Sequence, residues 1–265
     1  MLRITGRRAD GYHELQTVFQ FLDFGDDLEF TLRSDGQIRR TTSLTGVAAA
    51  DDLVVRAAAL LRSETGVSKG VDIALEKRIP MGGGLGGGSS DAATTLVALN
   101  YLWGAGLSID ALAEMGLRLG ADVPVFVRGA AAWAEGVGER LDPVVLAEPW
   151  YLVVTPDCSV PTAAVFSDPQ LTRDSAPIKI ADFLLGGGGN DCLHVVRKRF
   201  PAVAEALDWL SQRGEAALTG TGSSVYAAFE DRYSAEAALA ELPDAWRGVV
   251  TRGRNRSPLL DRLPG

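Results

Sequence analysis

Six glycines occupy seven consecutive positions between Gly82 and Gly88. They lie within the run Pro80-Met81-Gly82-Gly83-Gly84-Leu85-Gly86-Gly87-Gly88-Ser89-Ser90, which leads directly into Asp91-Ala92-Ala93-Thr94. Residues without a Cβ let the backbone bring its N–H groups close to a ligand. The composition after Ser89 is helical, so the run ends at a helix N-terminus, where unpaired N–H groups and the helix dipole favour an anion. Cradling a phosphate is the chemistry this spacing allows. A second candidate is Asp122, which follows Gly120-Ala121 at a predicted helix end and precedes Pro124. From such a turn a carboxylate can point into a cleft, although capping the turn is the commoner fate of an aspartate there.

The elements that position these groups are legible in outline. Val18 to Phe24 and Asp27 to Arg33 read as strands, and Val71 to Ile79 alternates at period two and feeds the glycine run, with Lys77 just before it. Val54, Val55, Ala58 and Leu61 place a helix over 51–63. Ala93, Leu96, Val97 and Tyr101 place another over 89–103, with the serines as its natural N-caps. A third helix, 109–119, stops at Gly120, and 125–141 reads as hairpin-like. Proline and acidic residues interrupt the pattern at 142–149, which sets an expected division into 1–147 and 148–265. Beyond it come a strand at 150–155, a surface turn at Gly186 to Gly189, helices at 192–199, 202–213 and 235–241, apolar Val225 to Phe229 and a last strand near Val249. Strands and helices mixed without strict alternation indicate an α+β fold.

Bulk properties remove several function classes. A net charge of −8 argues against a general nucleic-acid binder, which needs a basic field. The stretch Arg247, Arg252, Arg254, Arg256 and Arg262 reads as a solvated tail or last strand. Two cysteines and two histidines without ligand spacing exclude a structural zinc site, so no protein metal centre is expected. No apolar stretch spans a bilayer and the first residues lack a signal-peptide core, so the expectation is a cytoplasmic protein, monomer or homodimer, with no membrane or nucleic-acid partner.

Three kinds of phosphate loop compete. The P-loop needs Gly-Lys-Ser/Thr at its end, and here Gly88 is followed by Ser89-Ser90. Gly82, Gly84 and Gly87 formally satisfy the dinucleotide fingerprint, but a second parallel strand ending in an acid is lacking, and NAD binding is the runner-up. The third is a kinase loop, with backbone N–H groups on the phosphates and serines at the helix start for phosphate or Mg²⁺. The run from Pro80 to Ala93 resembles the second signature motif of the GHMP kinases, the group of galactokinase and the homoserine, mevalonate and phosphomevalonate kinases. Three further stretches, 5–13, 119–126 and 219–224, sharpen the likeness toward the branch acting on a cytidine-diphosphate-linked methylerythritol, and it extends to Pro161-Thr162 to Phe166 and to Asn190-Asp191.

That resemblance implies a two-domain fold, an N-terminal ribosomal-protein-S5-like nucleotide-binding domain and a C-terminal ferredoxin-like domain. It implies transfer of the ATP γ-phosphoryl group, with Mg²⁺, to the 2-hydroxyl of that small-molecule substrate. Residues 80–90 and Lys77 would then bind ATP, and Asp122 would be the catalytic base. Tyr12 and Phe166 would stack on the cytosine and His13 would hydrogen-bond its edge. Thr162, Gly220 and Thr221 would also meet the substrate. Relatives carry a lysine and an asparagine upstream of Thr5-Gly6-Arg7, in a Pro-Ala-Lys-Leu-Asn-like segment, and the lysine partners the catalytic aspartate. The chain opens Met1-Leu2-Arg3 and has neither. The expectation is a missing first strand, hence a nucleotide-binding protein with impaired turnover as the alternative to an active kinase.

Overall fold

Period-two and helical apolar spacings follow one another irregularly along the chain, and the computed structural model, which describes residues 1–262, shows what they become. β1 (Leu2–Arg7), β2 (His13–Phe19), β3 (Phe21–Leu22), β4 (Asp27–Arg33) and β5 (Ile38–Arg40) come first. α1 (Leu53–Thr65), β6 (Gly70–Glu76), α2 (Gly87–Trp103), α3 (Ile109–Leu117) and α4 (Val123–Arg128) follow. β7 (Ala132–Gly136), β8 (Arg140–Pro143) and β9 (Trp150–Pro156) precede α5 (Thr162–Phe166), α6 (Ile180–Leu184), α7 (Leu193–Arg199) and α8 (Pro201–Ser211). The described residues end with β10 (Ala216–Leu218), β11 (Val225–Phe229), α9 (Arg232–Ala240), β12 (Trp246–Arg254) and a short turn of 3₁₀ helix.

Packing divides these elements between two units. The first takes Met1–Phe24, Pro80–Leu85 and Ala131–Asn255; the second takes Gly25–Ile79, Gly86–Ala130 and the segment from Arg256. The units interleave along the chain, so compactness does not follow the consecutive segments 1–147 and 148–265. The reason is strand pairing: β2 pairs with β7, and β3 joins β12, across long stretches of sequence.

The first unit holds two antiparallel sheets, β1-β2-β7-β8 and β10-β11-β9-β12-β3. Leu2–Arg7, at the point where a first strand was expected to be missing, is a strand paired with β2, with Leu2 and Ile4 buried. Its core gathers Leu152 and Val154 of β9, Val225 and Ala227 of β11, and Val203, Leu207 and Leu210 of α8. Each fully buried leucine or valine of this kind contributes roughly 1.5–3 kcal/mol. Pro201 opens α8, where its missing N–H costs nothing.

In the second unit the sheet order is β4-β6-β5, with β4 antiparallel and β5 parallel to β6. Asp52 caps α1 by accepting from Val54 N–H at 3.0 Å, and its second oxygen pairs with the Arg40 guanidinium at 2.5 Å. Val54, Ala57, Ala58 and Leu61 of α1 pack with Ala92, Ala93, Leu96 and Leu99 of α2. The hairpin-like reading of 125–141 holds only for β7 and β8, because Val123–Arg128 is helical. Val123, Val125 and Val127 alternate like a strand, but Pro124 sits in the first turn, Gly129 closes the helix with φ 64°, and all three valines are buried. Among the described residues no helix is long and apolar enough to cross a membrane.

Candidate active site

The glycine run is divided along the chain, residues 80–85 belonging to the first unit and residues from Gly86 to the second. In the second, α2 begins at Gly87, so its N-cap is Gly86 with φ 69° and not a serine as expected. A side chain there would meet the Phe126 ring at 2.8 Å. The first backbone bond of the helix runs from Ser90 N–H to Gly86 O at 2.8 Å. The N–H groups of Gly87, Gly88 and Ser89 precede it and have no carbonyl within the helix, which leaves an uncapped positive end suited to an anion. Ser89 and Ser90 stand in this first turn.

Lys77, expected at the nucleotide, lies beside Gly87: a Cβ there would be 3.2 Å from its Nζ. Its ammonium is held by two carboxylates, Asp91 Oδ2 at 2.8 Å and Asp26 Oδ2. Asp26 Oδ1 also accepts from the backbone N–H groups of Arg78 (2.6 Å) and Ile79 (2.8 Å). These bonds hold the Asp26 carboxylate in place. Burial, with Asp26 nearby, lifts the Asp91 carboxyl to about 7 against the pull of Lys77. Burial works against the Lys77 ammonium, but Asp91 and Asp26 outweigh it and hold the pKa above its usual value. Asp26 escaped sequence reasoning because 51 residues separate it from Lys77.

Asp122 is the N-cap of α4, yet its carboxylate makes no capping hydrogen bond, unlike that of Asp52. Burial pushes its carboxyl above the ordinary carboxylate value, so it is a stronger base than a free aspartate. The turn reading therefore falls short here: the side chain leaves the backbone unserved and stays available.

In the first unit, Gly82 and Gly84 take left-handed φ of 71° and 73°. Gly83 O accepts from Ser224 N–H at 3.0 Å and from the Thr219 hydroxyl at 3.1 Å. A Cβ on Gly84 would lie 2.6 Å from Thr219 O and 2.7 Å from Gly222 O. The segment 80–85 thus lies directly against the 219–224 turn, and Met81 and Gly82 are exposed. The expected substrate residues Thr162 and Thr221 share a hydroxyl hydrogen bond of 3.0 Å, and Asn190 Nδ2 donates to Gly220 O at 2.7 Å.

His13 opens β2 opposite Arg7, and its ring lies 5.0 Å from that of Phe166, which ends α5. Tyr12 beside it is 64% exposed, an aromatic free to cover a flat ligand. Burial, then the Arg173 and Arg7 cations, lower the His13 pKa, so the imidazole is neutral at physiological pH. Arg173 was missed: its Nε donates to His13 Nε2 at 3.2 Å across 160 residues of sequence. Two other features carry no comparable chemistry. On β12, Arg254 pairs with Asp23 at 2.7 Å and Arg252 Nε donates to Glu148 O at 3.3 Å. A cavity of about 360 Å³ near the C-terminal end of α2, lined by Val97, Asn100, Tyr101, Gly104, Gly106, Ile109 and Leu112, has no charged side chain.

Comparisons with known proteins bear on the whole chain. The GHMP kinases N terminal domain matches residues 52–130 and the GHMP kinases C terminal domain matches 177–248. A 4-diphosphocytidyl-2-C-methyl-D-erythritol kinase of Nitrosococcus oceani is 59% identical over 262 residues, covering 99% of this chain and 94% of that one. A crystal structure of a 4-(cytidine 5'-diphospho)-2C-methyl-D-erythritol kinase superposes with a TM-score of 0.83 at 34% identity, covering 96% and 95% of the two chains. The mevalonate kinase of Methanococcus jannaschii, at 15% identity with a TM-score of 0.67 over 94% of this chain and 100% of its own, shares the fold. With both domain models matched, and such identity over nearly its whole length, the chain belongs to the GHMP kinases.

Proposed function

We infer that the chain phosphorylates the 2-hydroxyl of 4-diphosphocytidyl-2-C-methyl-D-erythritol with ATP, a step in making isoprenoid precursors. The observation that carries this reading is the near full-length 59% identity to a kinase named for that substrate. The buried, uncapped Asp122 carboxylate supports it from the side of chemistry. The substrate oxygen bonds to the γ-phosphorus, the bond to the β,γ-bridging oxygen breaks, ADP leaves, and Asp122 takes the hydroxyl proton. Phosphoryl transfer asks a protein mainly for positioning and charge stabilisation. We assign the triphosphate to the N–H groups of residues 80–90, and the cytosine to Tyr12, His13 and Phe166, with Thr162, Gly220 and Thr221 beside the substrate. Lys77 acts in this assignment by fixing Asp91 near the start of α2.

Mg²⁺ is part of the proposal and would come on the triphosphate, neutralising its charge. Ser89 and Ser90 would be its protein neighbours. A cytoplasmic monomer or homodimer, with a domain join near residue 147 between the two matched segments, completes the reading.

The test is transfer of labelled γ-phosphate from ATP to the cytidyl substrate. Label should appear on that product, and Asp122→Asn should lower kcat about 10²–10⁴-fold, the usual contribution of a general base. The variant should be as stable as the parent or more so. A carboxyl whose pKa rises on folding binds more protons native than unfolded, so its contribution falls as pH climbs through that window. Hydrolysis of ATP without product, or an Asp122→Asn variant at full rate, defeats the assignment.

A further inference from the structure

Arg173 is bound on every side of its guanidinium. Besides Nε to His13 Nε2 at 3.2 Å, Nη1 donates to Leu171 O at 3.1 Å, and Nη2 donates to Phe166 O at 2.9 Å and Asp168 O at 2.7 Å. The fork therefore ties the end of the helix that carries Phe166 to the histidine ring that Phe166 faces. An arginine side chain has donors only and stays protonated. Whatever His13 does, its Nε2 must be the accepting nitrogen, so the neutral ring carries its proton on Nδ1. Among the described residues no group takes a hydrogen bond from that Nδ1–H.

We propose that Arg173 is the positioning residue that makes His13 a donor, and that this choice of tautomer selects cytosine over uracil. The proposal rests on the assignment of His13 to the base of the substrate. Cytosine offers O2 and N3 as adjacent acceptors, whereas uracil places an N3–H donor between two carbonyls. A ring presenting Nδ1–H matches the N3 of cytosine. The other tautomer presents a bare Nδ1, an acceptor that matches the uracil N3–H instead. One proton position on one ring therefore separates two substrates that differ in the group on C4 and in the proton on N3. The charged groups facing His13 are both cations, Arg7 across the strand pair and Arg173 itself, so removing Arg173 also weakens the pressure that keeps the ring neutral.

The experiment reads the ring directly. The chain has two histidines, so His194→Gln assigns the ¹⁵N resonances of His13 without ambiguity. In the wild-type protein at pH 7 His13 should be neutral with its proton on Nδ1. Arg173→Gln, whose amide can still donate, should keep that pattern, and Arg173→Met should lose it and titrate at higher pH. In parallel, Arg173→Met should raise KM for the cytidyl substrate about tenfold, the effect of one lost hydrogen bond, and lower the preference over the uridyl analogue by at least that factor. Arg173→Gln should restore most of it, with kcat changed less than KM in both. An Nε2–H or charged His13 in the wild type overturns the tautomer assignment. A pinned tautomer with unchanged selectivity in Arg173→Met overturns the specificity role. Addition of CDP separates the remaining case: a correctly protonated His13 whose resonances do not move with CDP shows that the assignment to the base, and the selectivity built on it, is wrong.

Discussion

Two carboxylates near the start of α2 and α4 have been raised by burial, and they differ in what surrounds them. Asp122 has no capping partner, so the free energy of desolvation is expressed as basicity. Asp91 shares Lys77 with Asp26, so two carboxylates meet on one ammonium. Lys77→Met leaves two buried acids facing each other, a loss of about 3–5 kcal/mol by the usual cost of breaking a buried pair from one side. The sign with pH follows from the raised Asp91 value. Between the unfolded carboxylate range and about 7 the native state holds the extra proton, so stability falls as pH rises through that interval. Denaturant midpoints of Lys77→Met should accordingly lie far below the parent at pH 8 and recover partly at pH 5. A pH-independent difference would show that the triad is not proton-coupled.

At the scale of elements, the glycine run works through what it lacks. Gly84 has both a left-handed φ of 73° and two carbonyl oxygens within 2.7 Å of where a Cβ would stand. Gly84→Ala combines the left-handed penalty with overpacking against backbone, together about 2–5 kcal/mol. Its thermal midpoint should drop and its KM for ATP rise; wild-type values for both would remove the 219–224 turn as a support of the loop. The same scale shows what sequence can express. Asp27–Arg33 was legible to the residue because Leu28, Phe30 and Leu32 alternate with polar neighbours. α4 was misread because three valines at period two imitate a strand, and only the packing of Val123 and Val127 on α2 and α3 decides the matter. The loop and Asp122 could be proposed from local composition and motif, and His13 from the family resemblance alone. Asp26 and Arg173 were not, since their partners are 51 and 160 residues away and no local pattern encodes such a meeting.

For the whole molecule, the shared fold with a mevalonate kinase at 15% identity shows how little of the architecture is tied to one substrate. Nucleotide choice is common to the family and should be readable without any substrate present. ATP at a hundred times its dissociation constant stabilises a native state by about 2.7 kcal/mol, which for a chain of this size raises the unfolding temperature by roughly 5–10 °C. NAD at equal concentration should give no shift; protection by NAD in place of ATP would revive the dinucleotide reading of the glycine run.

Interleaved packing has a consequence for synthesis on the ribosome. β9, the central strand of its sheet, lies between β11 and β12, and β12 is the last strand to be made. β2 likewise waits for β7, which emerges more than a hundred residues later. Neither strand can be satisfied by its immediate successors. The nascent chain must therefore hold open, apolar strand edges for most of its translation, a span in which chaperone capture competes with misassembly.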